Sequence, residues 1–482
     1  MSRPNVLLLM TDQMQGRVLD PHHPCQTPHL DRLAARGVRF ARAVTPNAVC
    51  SPARASLMTG LLPHNHGVMW VTHVVDGDQG LLRTDRPHWA QRLQAVGYDT
   101  AYFGKWHVER SDSPERYGWA TDGAMPSAAY KAFAAEHADK TYRDPETLSS
   151  HRFVRTPGYA DTLHYGVTRV PPERRPMGVV TAMAEQWLES ALRSDRPWCA
   201  CVSIPEPHDP FVCGEEAFAQ YRPADLALPP NAGDAMSDKP GLYRRARALW
   251  QDMSDAEKKE AAACYYASIT ELDAQFGRLI ERIAQAGQED RTLVILTADH
   301  GEFLGAHGLY CKNFGAFEEA YNVPLVMAGP GVAHGAVARE RVALQDLCPT
   351  ITELTGAEPI ASPDSRSFAA VLREPGRYEN EWQTAFAEYH GGRYLITQRM
   401  VWDDNWKFVF NGFDFDELYD LENDPFETVN LAARPEHRAR VEQMTARMWA
   451  RMRETGDQSL MNTGYPILRI AAVGPESKTR KG

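Results

Sequence analysis

Val6-Leu7-Leu8-Leu9-Met10, followed at once by Thr11-Asp12-Gln13, sets the architecture of the chain. Five consecutive apolar residues suit a strand buried on both faces, as inside a parallel sheet, and they leave Asp12 just beyond its carboxyl end. The arrangement recurs. Tyr98 to Phe103 precedes Gly104-Lys105-Trp106-His107, Cys199 to Ile204 precedes Pro207-His208-Asp209-Pro210, and Leu293 to Thr297 precedes Asp299-His300-Gly301-Glu302. Helical spacing lies between them, with Val180, Met183, Trp187 and Ala191 on one stripe and Ile269, Leu272, Phe276, Leu279 and Ile283 on another. The expected fold is α/β, with a mixed, largely parallel central sheet flanked by helices. In such sheets ligands bind outside the carboxyl ends of the strands, so the four polar clusters are expected to converge.

The chain has 482 residues, 43% of them hydrophobic, enough for a large core and two folded units. We place the first over residues 1–375 and the second over 376–482. From about Glu381 the pattern changes: Thr384 to Tyr389, Tyr394 to Met400, Trp406 to Phe410 and Asp416 to Leu421 are short strand candidates without helices between them, and Pro435 to Glu454 is helical. A smaller C-terminal antiparallel sheet plus helix is expected. Residues 137–175 and 229–260 break the α/β alternation and read as insertions over the site, either lids or solvated excursions. The tail from Met461, with Tyr465, Ile467 and Leu468, carries apolar residues that would dock on a second copy in a homo-oligomer, and beyond Gly474 it reads as mobile.

A net charge of −11 argues against nucleic acid or an anionic membrane as partner, so any anion site must be a local cluster of cations. No apolar run approaches the roughly 18 residues of a membrane span, and the N-terminal run is too short for a signal peptide core, so a cytoplasmic location is expected. Eight cysteines are too sparse for a disulfide framework. Cys199-Ala200-Cys201 reads as alternate strand positions, not as a metal or redox site.

Around Cys50 the chain reads Ala48-Val49-Cys50-Ser51-Pro52-Ala53-Arg54-Ala55-Ser56-Leu57-Met58-Thr59-Gly60. Taken alone, it is a helix with Pro in its first turn and Gly at its end. The run also resembles the first signature of the type I sulfatase family, part of the alkaline phosphatase superfamily, in which the Cys of C-x-P-x-R is oxidised to formylglycine. Gly97 to His107 resembles the second signature, with Phe103 where a smaller residue is common and the Gly-Lys-x-His core intact. Glu417 to Pro425, with Asn430-Leu431, is similar to the family's C-terminal subdomain. The resemblance runs from Asn5 to Leu431, with the motifs in family order.

What it implies is an alkaline phosphatase-like fold that hydrolyses small-molecule sulfate monoesters to alcohol and sulfate. Formylglycine from Cys50 would be the nucleophile, made by a formylglycine-generating enzyme acting as maturation partner. Asp12, Gln13, Asp299 and His300, with residue 50, would hold one divalent metal ion. Many members carry two Asp where this chain has Asp12-Gln13; the missing charge favours Mn²⁺, while the wider family favours Ca²⁺. Arg54 would neutralise the aldehyde hydrate, Lys105 would bind sulfate, and His107 would take the second hydroxyl's proton. His208 and Lys312 would contact the bridging oxygen. Two rivals keep the fold: a phosphonate monoester or phosphodiester hydrolase using the same formylglycine, and an inactive binding protein. A phosphatase with an unmodified Ser or Thr nucleophile is disfavoured by the Cys at position 50. His64, His66, Trp70, His73, His164, Glu388 and His390 are either a rim around the alcohol or structural residues, and Glu388 among aromatics would suit a cationic alcohol such as choline.

Overall fold

The computed structural model describes residues 3–76, 80–83, 85–111, 113–125, 127–312, 315–392, 396–461 and 471–475. Tyr394, Tyr465, Ile467, Leu468 and the last seven residues, on which part of the tail and strand readings rested, lie outside them. The central sheet has eight strands, in the spatial order Ala336–Ala338, Val38–Phe40, Leu325–Ala328, Thr292–Ala298, Asn5–Thr11, Trp198–Ile204, Asp99–Lys105 and Thr121–Met125. The five strands from Thr292–Ala298 to Thr121–Met125 are mutually parallel. Leu325–Ala328 runs antiparallel to both its neighbours, which makes the sheet mixed as expected.

Asn5–Thr11 is central and buried along its whole length, as its unbroken apolar run requires. Cys199 and Cys201 are buried strand residues, and all eight cysteines are free thiols. Pro176–Ala191 packs on the Trp198–Ile204 strand and on the long helix Asp255–Gln285. That helix starts with a capping box in which Ser254 Oγ accepts from Glu257 N and Glu257 Oε2 accepts from Ser254 N.

Both presumed insertions are more regular than expected. Residues 229–260 contain the helix Gly241–Arg247 and the first turn of Asp255–Gln285. Residues 137–175 contain the hairpin Leu148–Val154 and Thr162–Thr168, which Phe211–Gly214 joins as a third, parallel strand. The hairpin escapes a hydrophobic-pattern reading because its first strand, Leu-Ser-Ser-His-Arg-Phe-Val, is mostly polar and its register shifts twice. It is tied to the long helix by polar contacts, Ser150 and Tyr165 to Glu260 and Arg152 to Glu257.

The smaller sheet is a separate antiparallel meander of Thr384–Tyr389, Gln398–Asp403, Trp406–Asn411 and Glu417–Asp420. Its residues alternate between two apolar layers. Phe386, Val401, Phe408, Phe410 and Leu418 pack with Met444, Met448, Trp449 and Met452 of the terminal helix Arg438–Thr455. Ala387, Met400, Trp402, Val409 and Tyr419 pack against Tyr243, Phe303, Phe317 and Tyr321. The sheet is thus buried on both faces. No helix among the described residues is long and apolar enough to cross a membrane.

Candidate active site

The four polar clusters do converge. Asp12 and Asp299 follow adjacent parallel strands whose register pairs Thr11 with Ala298, and Lys105 ends another strand two positions away. Cys50 opens the helix Cys50–Thr59, which ends at Gly60 with φ 73°. Its position places the first-turn backbone N–H groups and the positive end of the helix dipole beside residue 50.

Arg54, one turn on and fully buried, binds the ends of four strands at once. It donates to Asp299 Oδ2 at 2.7 Å, Asp12 Oδ2 at 3.1 Å, Ser203 Oγ at 2.8 Å and the Lys105 carbonyl at 2.7 Å. Burial opposes its charge, but Asp299 and Asp12 raise its pKa above the ordinary value. Asp12 also pairs with Lys105. Burial and the Cys50 thiolate push the Asp12 carboxyl up, yet Lys105, His208 and Arg54 hold it far below the carboxylate range.

The oxygen, sulfur and nitrogen donors of Asp12, Cys50, Asp299 and His300 lie within 4.8 Å of one another, and all four residues are buried. His300 Nδ1 is 2.9 Å from the Gly301 carbonyl and so donates to it, which turns Nε2 to Cys50 Sγ at 3.2 Å; burial lowers the imidazole's pKa, but Asp299 and Cys50 raise it to about 9, so Nε2 would give up its proton to serve as a metal ligand. Hard oxygens with one imidazole fit a divalent cation. Gln13 meets this group through its backbone N–H, 3.1 Å from Asp299 Oδ1. Its side chain, expected as a ligand, is committed to other partners: Lys312 donates to its oxygen, and its NH₂ reaches Asp209 and Glu302.

Cations surround Cys50. Lys105 Nζ is 3.7 Å from Sγ. Burial alone would raise the thiol's pKa, but Lys105, Lys312 and His300 bring it well below the ordinary value. Lys312 is buried, and His208 Nε2 contacts its ammonium; burial would lower its pKa, and the charges of Cys50, Asp209 and Asp12 raise it instead. His107 has its pKa lowered by burial, against the opposing pull of Cys50, so it is a neutral base. Backbone strain gathers here, with positive φ at Gln13 (69°), His107 (49°), Leu304 (48°), His307 (52°) and Cys311 (64°).

Of the rim residues, only His73 meets a catalytic candidate, with Nδ1 3.1 Å from His107 Nε2. His66 is bonded to Ser56 Oγ, and His164 is packed among Phe211, Trp250 and Tyr310. Glu388 is fully buried and held by His64 and His390, so it is not an open wall for a cationic alcohol. Ser203, Asp209, Glu302 and Tyr265, whose hydroxyl donates to the Gln13 carbonyl at 2.7 Å, carry no role in the sequence reading. Only Glu302 and Asp209 had a signal, as neighbours of motif histidines.

The chain compares with known proteins along nearly its whole length. The Sulfatase family model matches residues 4–357, and the model for the C-terminal part of N-sulphoglucosamine sulphohydrolase matches residues 305–454. A choline-sulfatase of Rhizobium meliloti (strain 1021) is 30% identical, over 94% of this chain and 86% of its own. The uncharacterized sulfatase YidJ of Escherichia coli (strain K12) is 31% identical over 89% of this chain and 83% of its own. Among solved structures, the phosphonate monoester hydrolase of Agrobacterium radiobacter superposes with a TM-score of 0.76 at 25% identity, covering 94% of this chain and 96% of that one. A buried Cys at a helix start, with Lys105 and His300 at its sulfur and Arg54 holding the two aspartates beside it, together with these matches, makes the chain a member of the formylglycine-dependent sulfatase family and a sulfuric ester hydrolase.

Proposed function

We propose that the cage around residue 50 hydrolyses sulfate monoesters of small alcohols, with the roles divided as follows. Asp12, Asp299, His300 and residue 50, with Gln13 beside them, hold one divalent cation, Mn²⁺ or Ca²⁺, which when bound adds positive charge at the sulfate oxygens. Formylglycine made from Cys50 supplies the nucleophilic oxygen. Arg54 and Lys105 offset negative charge at residue 50 and on the sulfate. His107, half-buried and with its pKa lowered, accepts the proton that must leave residue 50 for turnover. His208 and Lys312 face the departing oxygen and protonate it as its bond to sulfur breaks. The observation that carries this reading is the joint approach of Lys105 Nζ, at 3.7 Å, and His300 Nε2, at 3.2 Å, to the buried sulfur of Cys50.

Maturation by a formylglycine-generating enzyme follows from the C-x-P-x-R run, and a division near residue 375 agrees with a small sheet beginning at Thr384. The name of the rhizobial relative makes choline sulfate the first natural ester to try. A second reading, hydrolysis of phosphonate monoesters, is favoured by Gln13 in place of a second Asp and by similarity to the Agrobacterium enzyme. The test is kcat/KM for an aryl sulfate against the matched aryl phosphonate monoester, on protein whose conversion at residue 50 is verified by mass, with Cys50→Ala as blank. We expect sulfate to be preferred. Preference for the phosphonate would replace this reading with the second.

A further inference from the structure

Glu302 has no part in the roles above, yet its carboxyl group is fully buried at the edge of the site. Oε1 accepts from Leu304 N at 2.9 Å and from Cys311 N at 2.6 Å, which closes the loop between them. Oε2 accepts from Gln13 Nε2 at 2.5 Å, and Asp209 Oδ1 takes the same nitrogen at 3.0 Å. An amide whose NH₂ sits between acceptor oxygens of two carboxyl groups has only one favourable orientation. The Gln13 oxygen is thereby turned to Lys312 Nζ, 2.5 Å away, and Lys312 reaches His208. Lys312 is also the residue after Cys311, so Glu302 holds it twice, through the backbone before it and through Gln13 at its ammonium.

We propose that Glu302 is a positioning residue for departure of the alcohol. It fixes the Gln13 amide and the 302–312 loop so that Lys312 and His208 stay on the oxygen that leaves. The proposal rests on the reading of Lys312 and His208 as leaving-group residues. When the S–O bond breaks, its electron pair goes to the alcohol oxygen and the proton comes from Lys312 or His208; Glu302 touches neither. Glu302→Gln keeps size and shape but sets a buried NH₂ against either the Gln13 NH₂ or the N–H groups of Leu304 and Cys311.

The test is kcat/KM on metal-loaded, formylglycine-bearing protein across substituted phenyl sulfates, from 4-nitrophenyl to phenyl. For Glu302→Gln we expect a loss of about tenfold on 4-nitrophenyl sulfate and about a hundredfold or more on phenyl sulfate, because protonation matters most for the poorer leaving group. Lys312→Ala should steepen the series in the same way, and the double variant should be no worse than Lys312→Ala, the sign of residues acting as one unit. Gln13→Met, which leaves Glu302 in place and cuts the link, should reproduce the slope. A loss equal across the series, or losses that multiply in the double variant, overturns the proposal. If the parent prefers phosphonates, the sulfate reading falls, and the same series built on aryl phosphonate monoesters decides on Glu302.

Discussion

Arg54 touches the ends of four strands, at Asp12, Asp299, Ser203 and Lys105. A lysine there keeps the charge but has no planar fork, and it would leave one of two fully buried carboxylates short of a partner. For Arg54→Lys we expect stability to fall by about 3 kcal/mol and kcat/KM by more than about a hundredfold. Urea unfolding and aryl sulfate kinetics check this; parent-like values would mean that charge alone suffices. That Cys50, Arg54, Lys105, His107, Asp299 and His300 come together could be expected from sequence, because each stands in a motif that follows a strand or opens a helix at the same end of the sheet. Ser203 could not, since a serine in Cys-Val-Ser-Ile is ordinary until Arg54 arrives from a distant segment. Gln13 was legible as a site residue but not in its partners, which depend on loops that carry Asp209, Glu302 and Lys312.

The Asp99–Lys105 strand illustrates how an element delivers its chemistry. Gly104 has φ 87°, and a Cβ there would lie 2.0 Å from the Ser203 carbonyl oxygen on the neighbouring strand. Backbone cannot yield as a side-chain tip does, so the strand end carrying Lys105 would be pushed out of register. Gly104→Ala should cost about 2–3 kcal/mol and remove most activity; thermal unfolding and kinetics of the same sample would show it, and unchanged values of both would refute the argument. The doubly buried strands were legible because they need unbroken apolar runs. The short strands Val38–Phe40, Leu325–Ala328 and Ala336–Ala338 were not, being too brief for periodicity to register, and the 148–168 hairpin was hidden by a mostly polar first strand whose Ser150 and Arg152 bond to Glu260 and Glu257.

Across the molecule, a buried clasp joins the segment after the Cys50 helix to the small sheet and the terminal helix. His64, just past the Cys50 helix, contacts Glu388 on the small sheet and the carbonyl of Thr455 at the end of the terminal helix, next to the Arg399–Asp457 pair. Burial lowers the His64 pKa, but Glu388 raises it above 6.5; burial raises that of Glu388, but His390 and His64 hold it well below 4.5. A raised imidazole contributes fully below its unfolded pKa and loses that contribution as pH climbs through the folded one, whereas a depressed carboxylate contributes above its unfolded pKa and loses it as pH falls. The clasp is therefore strongest between pH 4.5 and 6.5. The melting-temperature gap between parent and His64→Gln should be wide at pH 6 and narrow at pH 9, and a constant gap would count against a charged His64. Contacts of this reach were not legible, because periodicity names elements and leaves their partners open. They also impose a timetable. Cys50 and His300 are 250 residues apart in the chain, so the pocket that encloses Cys50 cannot close until His300 has been synthesised. At the usual pace of translation that delay is roughly 12–50 s, an interval in which the proposed maturation enzyme would meet residue 50 as part of a nascent chain, before His300 is there to cover it.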